Sequence, residues 1–259
     1  MIETRAERQA VAAWLKEAGI ARGGVLFLHS AFRRLSARGF RAEAFIDGML
    51  DYLADGTLVM PTMSWRIATP DNPFFDELAT PSHVGIVAET FRLRNATHRS
   101  LHPTHSVGAA GRLAADLTSS HHLADTPCSP VSPYGKARRE NAQIVMLGIG
   151  LERCTAIHLA EEEVAPDLYL KPPHEAVIYD CRDRRGIIQR VCVRHHLHLN
   201  RDFPQFTLPL AATGKLRRGS LAGTPWLACA QRDLLDIVFA ALAADPRKII
   251  APECAPVIP

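Results

Sequence analysis

An α/β fold built on a mixed sheet, a parallel core with an antiparallel hairpin, flanked by helices, is what this sequence predicts. Three observations predict it. Short continuous apolar runs, Val25-Leu26-Phe27-Leu28, Leu58-Val59-Met60 and Ile144-Val145-Met146-Leu147, have the length and character of strands buried on both faces. Apolar residues at helical spacing separate the first two runs, the order of a parallel sheet with helical crossovers. In the second half, two segments, residues 175–181 and 187–193, flank Arg182-Asp183-Arg184-Arg185-Gly186, the pattern of an antiparallel hairpin.

Element by element, Thr4 and Glu7 have capping-box spacing, and Val11, Trp14, Leu15 and Ala18 recur at helical intervals before Gly19, so a first helix ends there. Gly23-Gly24 leads into the first run, which ends at His29-Ser30. Phe45, Met49, Leu50 and Leu53 form the next helical stripe, and Gly56-Thr57 turns into the second run, closed by Pro61. Residues 62–82 contain Pro70, Pro73 and Pro81 without a period, too long for a plain connector and so a candidate substrate loop. Ser82 caps a helix with Val84, Val87 and Phe91, and the polar stretch from Thr97 to Ser106 behind it is either solvated or a ligand cradle. The third run precedes a helix expected over residues 154–165, and a C-terminal helix is expected over residues 227–244.

With 259 residues, 47% hydrophobic and 22% charged, the chain has the composition of a globular protein, and residues 1–259 are expected to form one domain. A net charge of +3, evenly spread, gives no basic face for nucleic acid or a membrane surface. The longest apolar stretch, around Ile144 to Leu151, falls far short of the roughly 20 residues of a membrane helix, and the acid in Met1-Ile2-Glu3-Thr4-Arg5 is foreign to a signal peptide, so a cytoplasmic location is expected. Six cysteines, Cys128, Cys154, Cys181, Cys192, Cys229 and Cys254, form no CxxC pair and are expected as reduced thiols. The dinucleotide, NTP, serine-hydrolase and RNA-binding motifs are all absent.

Three clusters could carry chemistry. His158, Glu161 and Glu162 fall at i, i+3 and i+4 of the expected helix, so a carboxylate can approach the imidazole from its own face. Such a group is either a general base or a surface histidine beside a solvated acidic cluster. No second histidine stands at zinc-ligand spacing, and no metal is expected. Cys154, one turn before His158, is either an activated nucleophile or a small apolar residue. His195, His196 and His198 form the third cluster, with 196 and 198 on one side of a strand and 195 on the other.

Five segments together resemble the aminoglycoside N3-acetyltransferases. They are Gly24-Val25-Leu26-Phe27-Leu28-His29-Ser30-Ala31-Phe32, Gly56-Thr57-Leu58-Val59-Met60-Pro61-Thr62, Arg99-Ser100-Leu101-His102-Pro103 with Ser106, Ser129-Pro130, and Thr155-Ala156-Ile157-His158-Leu159-Ala160-Glu161. The resemblance spans almost the whole chain in the family's order. It implies that family's fold and a coenzyme A-dependent acyltransferase that moves an acetyl group from acetyl-CoA to a primary amine of an aminoglycoside, a related amino sugar or another small amine. On this resemblance His158 matches the family's base, and either Glu89 or Glu161 holds its imidazole. Thr155, or backbone N–H groups at the start of the same helix, would donate to the tetrahedral intermediate. Coenzyme A would lie along His29, Ser30, Ala31 and Phe32 and along Arg99, Ser100 and Ser106.

Two departures bear on the acceptor and the mechanism. Where the family has Asn-Thr before the histidine, this chain has Cys154-Thr155. Where the family's hairpin carries acids for a polycationic acceptor, this chain reads Arg194-His195-His196-Leu197-His198-Leu199-Asn200-Arg201-Asp202-Phe203. The candidate acceptor-binding residues are therefore Asp71 and Asp76 in the proline-rich loop, His195 and His196 in the hairpin, and the region of Glu253. A non-catalytic coenzyme A-binding or scaffold protein of the same fold is the alternative. Acyl-chain length, acceptor identity and oligomeric state are left open by the sequence.

Overall fold

The computed structural model describes residues 4–251. Helix α1 (Thr4–Glu17) buries Val11, Trp14 and Leu15. It ends in a Schellman motif: the Gly19 N–H bonds to Lys16 O at 3.0 Å and the Ile20 N–H to Leu15 O at 2.9 Å, with Gly19 at φ +67°. Glu7, expected as half of a capping box, is buried instead and accepts the Arg41 N–H at 3.0 Å.

The chain continues through β1 (Val25–Ser30), α2 (Arg33–Ser36), α3 (Ala42–Tyr52), β2 (Thr57–Pro61), β3 (Phe74–Asp76), α4 (Ile86–Arg94), β4 (His98–Arg99), β5 (Val107–Gly111), α5 (Ala114–Thr118), α6 (Pro133–Arg139) and β6 (Gln143–Leu147). It then forms α7 (His158–Val164), α8 (Pro166–Tyr169), β7 (Val177–Arg182), β8 (Ile188–Val193), α9 (Thr207–Ala212), β9 (Arg217–Leu221), β10 (Thr224–Ala230) and α10 (Gln231–Ala244).

The main sheet has the order β4-β5-β2-β1-β6-β10-β9. Only β2-β1-β6 is parallel; the four outer strands pair antiparallel. Strand β1 shows why its residues form a doubly buried central strand. Val25 and Phe27 point into one core with Tyr134, Leu159 and Leu234, while Leu26 and Leu28 point into the other with Trp14, Phe45 and Phe91. Each core is covered by helices, α6, α7 and α10 on one face and α1, α3 and α4 on the other.

Three expectations change. The hairpin forms where predicted, but β7 and β8 belong to a separate three-stranded sheet with β3, around Phe75, Tyr179, Val191 and Val193. Antiparallel pairing also enters the first half through β4 and β5. Residues 227–230 are strand, not helix: β9 and β10 form a hairpin across Ala222 (φ +48°) and Gly223 (φ +78°), a two-residue loop with both φ positive that matches strand twist. Pro225 and Gly219 disguise this hairpin in the sequence, since neither residue type favours a strand. Among the described residues no helix is long and apolar enough to cross a membrane.

The carboxyl ends of the three parallel strands converge. Ser30, Pro61 and the Gly148-Ile149 turn after β6 all reach the same end of the sheet, where ligands of open α/β sheets bind. Gly148 has φ +72°, and a Cβ there would stand 2.7 Å from Ala31 O, so a side chain is excluded where β6 turns past β1.

Candidate active site

A cavity of about 600 Å³ opens at this end. His29 and Ser30 from the end of β1, Met60 and Pro61 from β2, Met63, Trp65 and Arg66 from the following loop, and His83 to Gly85 before α4 line it. Glu152, Arg153, Thr155 and His158 come from the chain between β6 and α7, with His105 and Phe203 completing the wall.

His158 is the first residue of α7, and Glu161 lies on the same face one turn later. Their side chains meet at 2.7 Å between Nδ1 and Oε2. Glu161 is fully buried and also accepts from Arg201 Nε at 2.9 Å and 3.1 Å. Burial alone would push the Glu161 carboxyl up, but the charges and hydrogen bonds of His158 and Arg201 together outweigh it and hold it below the usual range. With Nδ1 engaged, Nε2 is the ring nitrogen left for the cavity. Phe203 packs edge-on against the imidazole, with ring centroids 5.2 Å apart.

A second histidine–glutamate pair backs the first. His196 stacks on His158 at a centroid distance of 4.2 Å and an interplanar angle of 26°. Its Nε2 is 2.8 Å from Glu162 Oε1, and both oxygens of Glu162 accept the Cys128 N–H at 2.9 Å. Burial pushes the Glu162 carboxyl up to about 8, and burial together with the neighbouring His158 pushes the His196 imidazole well below its ordinary value. At neutral pH this pair carries no net charge. Ligand atoms of His158, Glu161 and His196 fall within 4.8 Å of one another, a donor set of the kind that holds zinc. Those donors are committed to each other, to Arg201 and to Glu162 by the hydrogen bonds above.

Of the expected site residues, His158, Glu161, Thr155 and His196 come together, and His29 and Ser30 line the cavity. His29 Nε2 is buried with no hydrogen-bond partner among the described residues, and burial lowers the imidazole to about 4, so the ring is neutral. The remaining expectations are corrected. Glu89 does not hold His158; its carboxylate grips Arg92 at 2.7 Å and the Ser82 N–H at 2.7 Å. Arg99, Ser100 and Ser106 are buried and internally satisfied rather than free for coenzyme A. The Arg99 guanidinium binds Thr62, Ser106 and the carbonyls of Thr62, Glu77 and Thr80, which fastens the 62–82 loop to the sheet. Ser100 Oγ pairs with His121 Nδ1 at 2.8 Å.

Ala31 donates its N–H to Leu147 O at 2.8 Å, and Phe32 is in the core against Phe45. Asp71 is exposed and outside the cavity lining, and Asp76 is tied to Arg182 and to the N–H groups of Leu78 and Ala79. His195 pairs with the Tyr179 hydroxyl at 3.0 Å, away from the cavity. Residues 195–198 lie beyond the end of β8, so the expected strand alternation does not apply to them. Arg194 and Arg201 face inward onto Lys171 O, Asp167 and Glu161. Cys154 is fully buried, and burial pushes its thiol up, the opposite of an activated nucleophile. Glu253 and Cys254 lie outside the described residues.

Trp65, Arg66, His83, His105 and Arg153, none of them singled out by the sequence, also line the cavity. The candidate substrate loop over residues 62–82 was the signal for the first two. The polar stretch from Thr97 to Ser106 was the signal for His105, and nothing local marks Arg153.

A family model described as aminoglycoside 3-N-acetyltransferase matches residues 27–243. Aminoglycoside N(3)-acetyltransferase IV from Salmonella sp is 36% identical over 166 residues, 62% of this chain, and the chain spans 60% of that relative's length. A solved structure of a histidine-to-alanine variant of aminoglycoside acetyltransferase AAC(3)-IVa, in complex with a gentamicin, superposes with a TM-score of 0.79 at 29% identity, covering 95% of this chain and 91% of the other. The AAC-IIIb enzyme, solved as a binary complex with CoASH, shares the fold at TM-score 0.74 and 20% identity, covering 95% of this chain and 98% of the other.

Proposed function

Because this chain belongs to the aminoglycoside 3-N-acetyltransferase family, we propose that it transfers an acetyl group from acetyl-coenzyme A to a primary amine of an aminoglycoside or a related amino sugar, directly and with His158 as general base. The observation that carries this reading is the His158 imidazole at the cavity wall, its Nδ1 fixed at 2.7 Å by the buried, arginine-anchored Glu161. A carboxylate so placed selects the tautomer with Nδ1–H and leaves Nε2 with its lone pair, the arrangement of a hydrolase triad without the nucleophile.

The neutral amine attacks the thioester carbonyl, Nε2 takes the proton as the C–N bond forms, and the resulting imidazolium is stabilised by Glu161. Thr155, which lines the same cavity, would donate to the oxyanion. When the C–S bond breaks, the sulfur leaves as thiolate and the imidazolium can return its proton there. His29 and Ser30 are the members of the expected coenzyme set that reach the cavity. On this reading the whole chain works as one acyltransferase unit.

The test is thiol release from acetyl-coenzyme A across a panel of aminoglycosides and amino sugars. Amine-dependent release is expected; coenzyme A binding without turnover on any amine would favour a non-catalytic coenzyme A-binding protein.

A further inference from the structure

The cavity around His158 holds few carboxylates for a polycation. Glu161 and Glu162, the acids beside the base, are buried and bonded to His158, Arg201, His196 and the Cys128 N–H, so neither presents an oxygen to an incoming ammonium. Glu152 is the one acid in the lining, and its Oε1 accepts the Gly150 N–H at 2.9 Å. Against it stand Arg66 and Arg153, both exposed and in the lining, and among the described residues neither has a carboxylate partner. Arg66 lies over the Trp65 ring at 4.9 Å, and Trp65 is 43% exposed at the same rim, an aromatic face of the kind on which sugar rings stack. The histidines of the lining add no negative charge.

A site for several ammonium groups needs acids in its wall, and here two guanidinium groups stand against one carboxylate, a balance that suits a phosphate or carboxylate. We propose that the acceptor is an amino sugar or small amine with few positive charges and one anionic group, and that Arg66 and Arg153 hold that group at the rim while the amine reaches His158. This rests on the acetyl-transfer reading and narrows its acceptor. Arg194 and Arg201, the arginines of the 194–203 segment, are spent on Lys171 O, Asp167 and Glu161, so the cations left for an anion come from other segments.

The test separates binding from turnover. The protein saturated with coenzyme A, so that the coenzyme's own phosphates already occupy their site, is titrated with glucosamine, glucosamine 6-phosphate and gentamicin. Fluorescence of Trp65 reports binding, Trp14 and Trp226 being only 2% exposed. Glucosamine 6-phosphate is expected to bind at least ~10-fold more tightly than glucosamine or gentamicin, a modest demand on charge-assisted pairs at a wet rim. The Arg66→Gln/Arg153→Gln double variant should melt at the same temperature, lose that advantage and keep its coenzyme A affinity within about twofold. Tightest binding of gentamicin, no advantage or no binding for the phosphorylated sugar, or loss of coenzyme A affinity in the double variant without loss of the phosphate preference would overturn the proposal. Failure of the acetyl-transfer reading shows elsewhere, as absence of thiol release with every amine whatever the order of the dissociation constants.

Discussion

Two histidine–glutamate pairs, His158–Glu161 and His196–Glu162, stand with their imidazoles stacked 4.2 Å apart, yet their surroundings give them opposite electrostatics. Glu161 has Arg201 on its other side and stays ionised. Glu162 has no guanidinium among its partners, and burial drives its carboxyl up to about 8. On the proposed mechanism one pair stabilises an imidazolium during proton transfer; the other is a neutral wall against which the first ring is held. The difference lies in one guanidinium, delivered by a segment 40 residues further along the chain.

The largest effect expected from breaking this comparison is on the open pair. His158→Ala should lower kcat by roughly 10²- to 10⁴-fold, with acetyl-coenzyme A binding retained. Steady-state kinetics beside a coenzyme titration check this, and near-full activity would remove His158 from the mechanism. Glu161→Gln keeps the shape but removes the charge that pairs with both His158 and Arg201. It should cost roughly 10² in kcat, and about 3 kcal/mol of stability because the Arg201 charge is left poorly compensated. Turnover and denaturant midpoints measure the two losses separately.

The closed pair should respond through stability rather than rate. Its folded carboxyl, at about 8 against an ordinary 4.5, holds a proton that the unfolded chain gives up earlier, so stability falls as pH rises from about 4.5 through 8. Glu162→Gln removes that titration. Between pH 6 and pH 8.5 the variant's melting temperature should fall less than the parent's, while kcat at pH 7 changes by less than about tenfold. A parallel pH dependence of the two proteins would mean that Glu162 is ionised in the fold. The smallest effect belongs to Cys154→Ser. Because the thiol is buried and pushed up, most activity should remain, and mass spectrometry after incubation of the parent protein with acetyl-coenzyme A should find no acylated cysteine.

Much of the fold was legible because its signals are local. The runs at β1, β2 and β6 announced themselves by being apolar on both faces, and the β7–β8 turn by its charged, glycine-ended loop. Strand β10 was not legible: Pro225 interrupts the run and the following helix extends its apolar pattern backward through Leu227. Within the site, Glu161 was legible as a candidate partner of His158 from their i, i+3 spacing, because that contact is made within one helical turn, but only the fold excludes Glu89. Arg99, Ser100 and Ser106 misled for the converse reason. Polar residues in a loop look available, and only the fold shows that Arg99 reaches the carbonyls of Glu77 and Thr80, about twenty residues away.

The sequence by itself determined the strand and helix pattern of the parallel core, the family resemblance and the candidacy of His158 with an acid three residues on, all properties set by neighbours along the chain or by motifs in fixed order. Tertiary structure alone decided which carboxylate stays charged, where the hairpin strands go and which cations face the cavity. Each of these depends on who stands across a space of a few ångströms. A guanidinium beside Glu161, a backbone N–H beside Glu162 and exposed arginines at the rim come from segments far apart in sequence, and local spacing carries no record of such meetings.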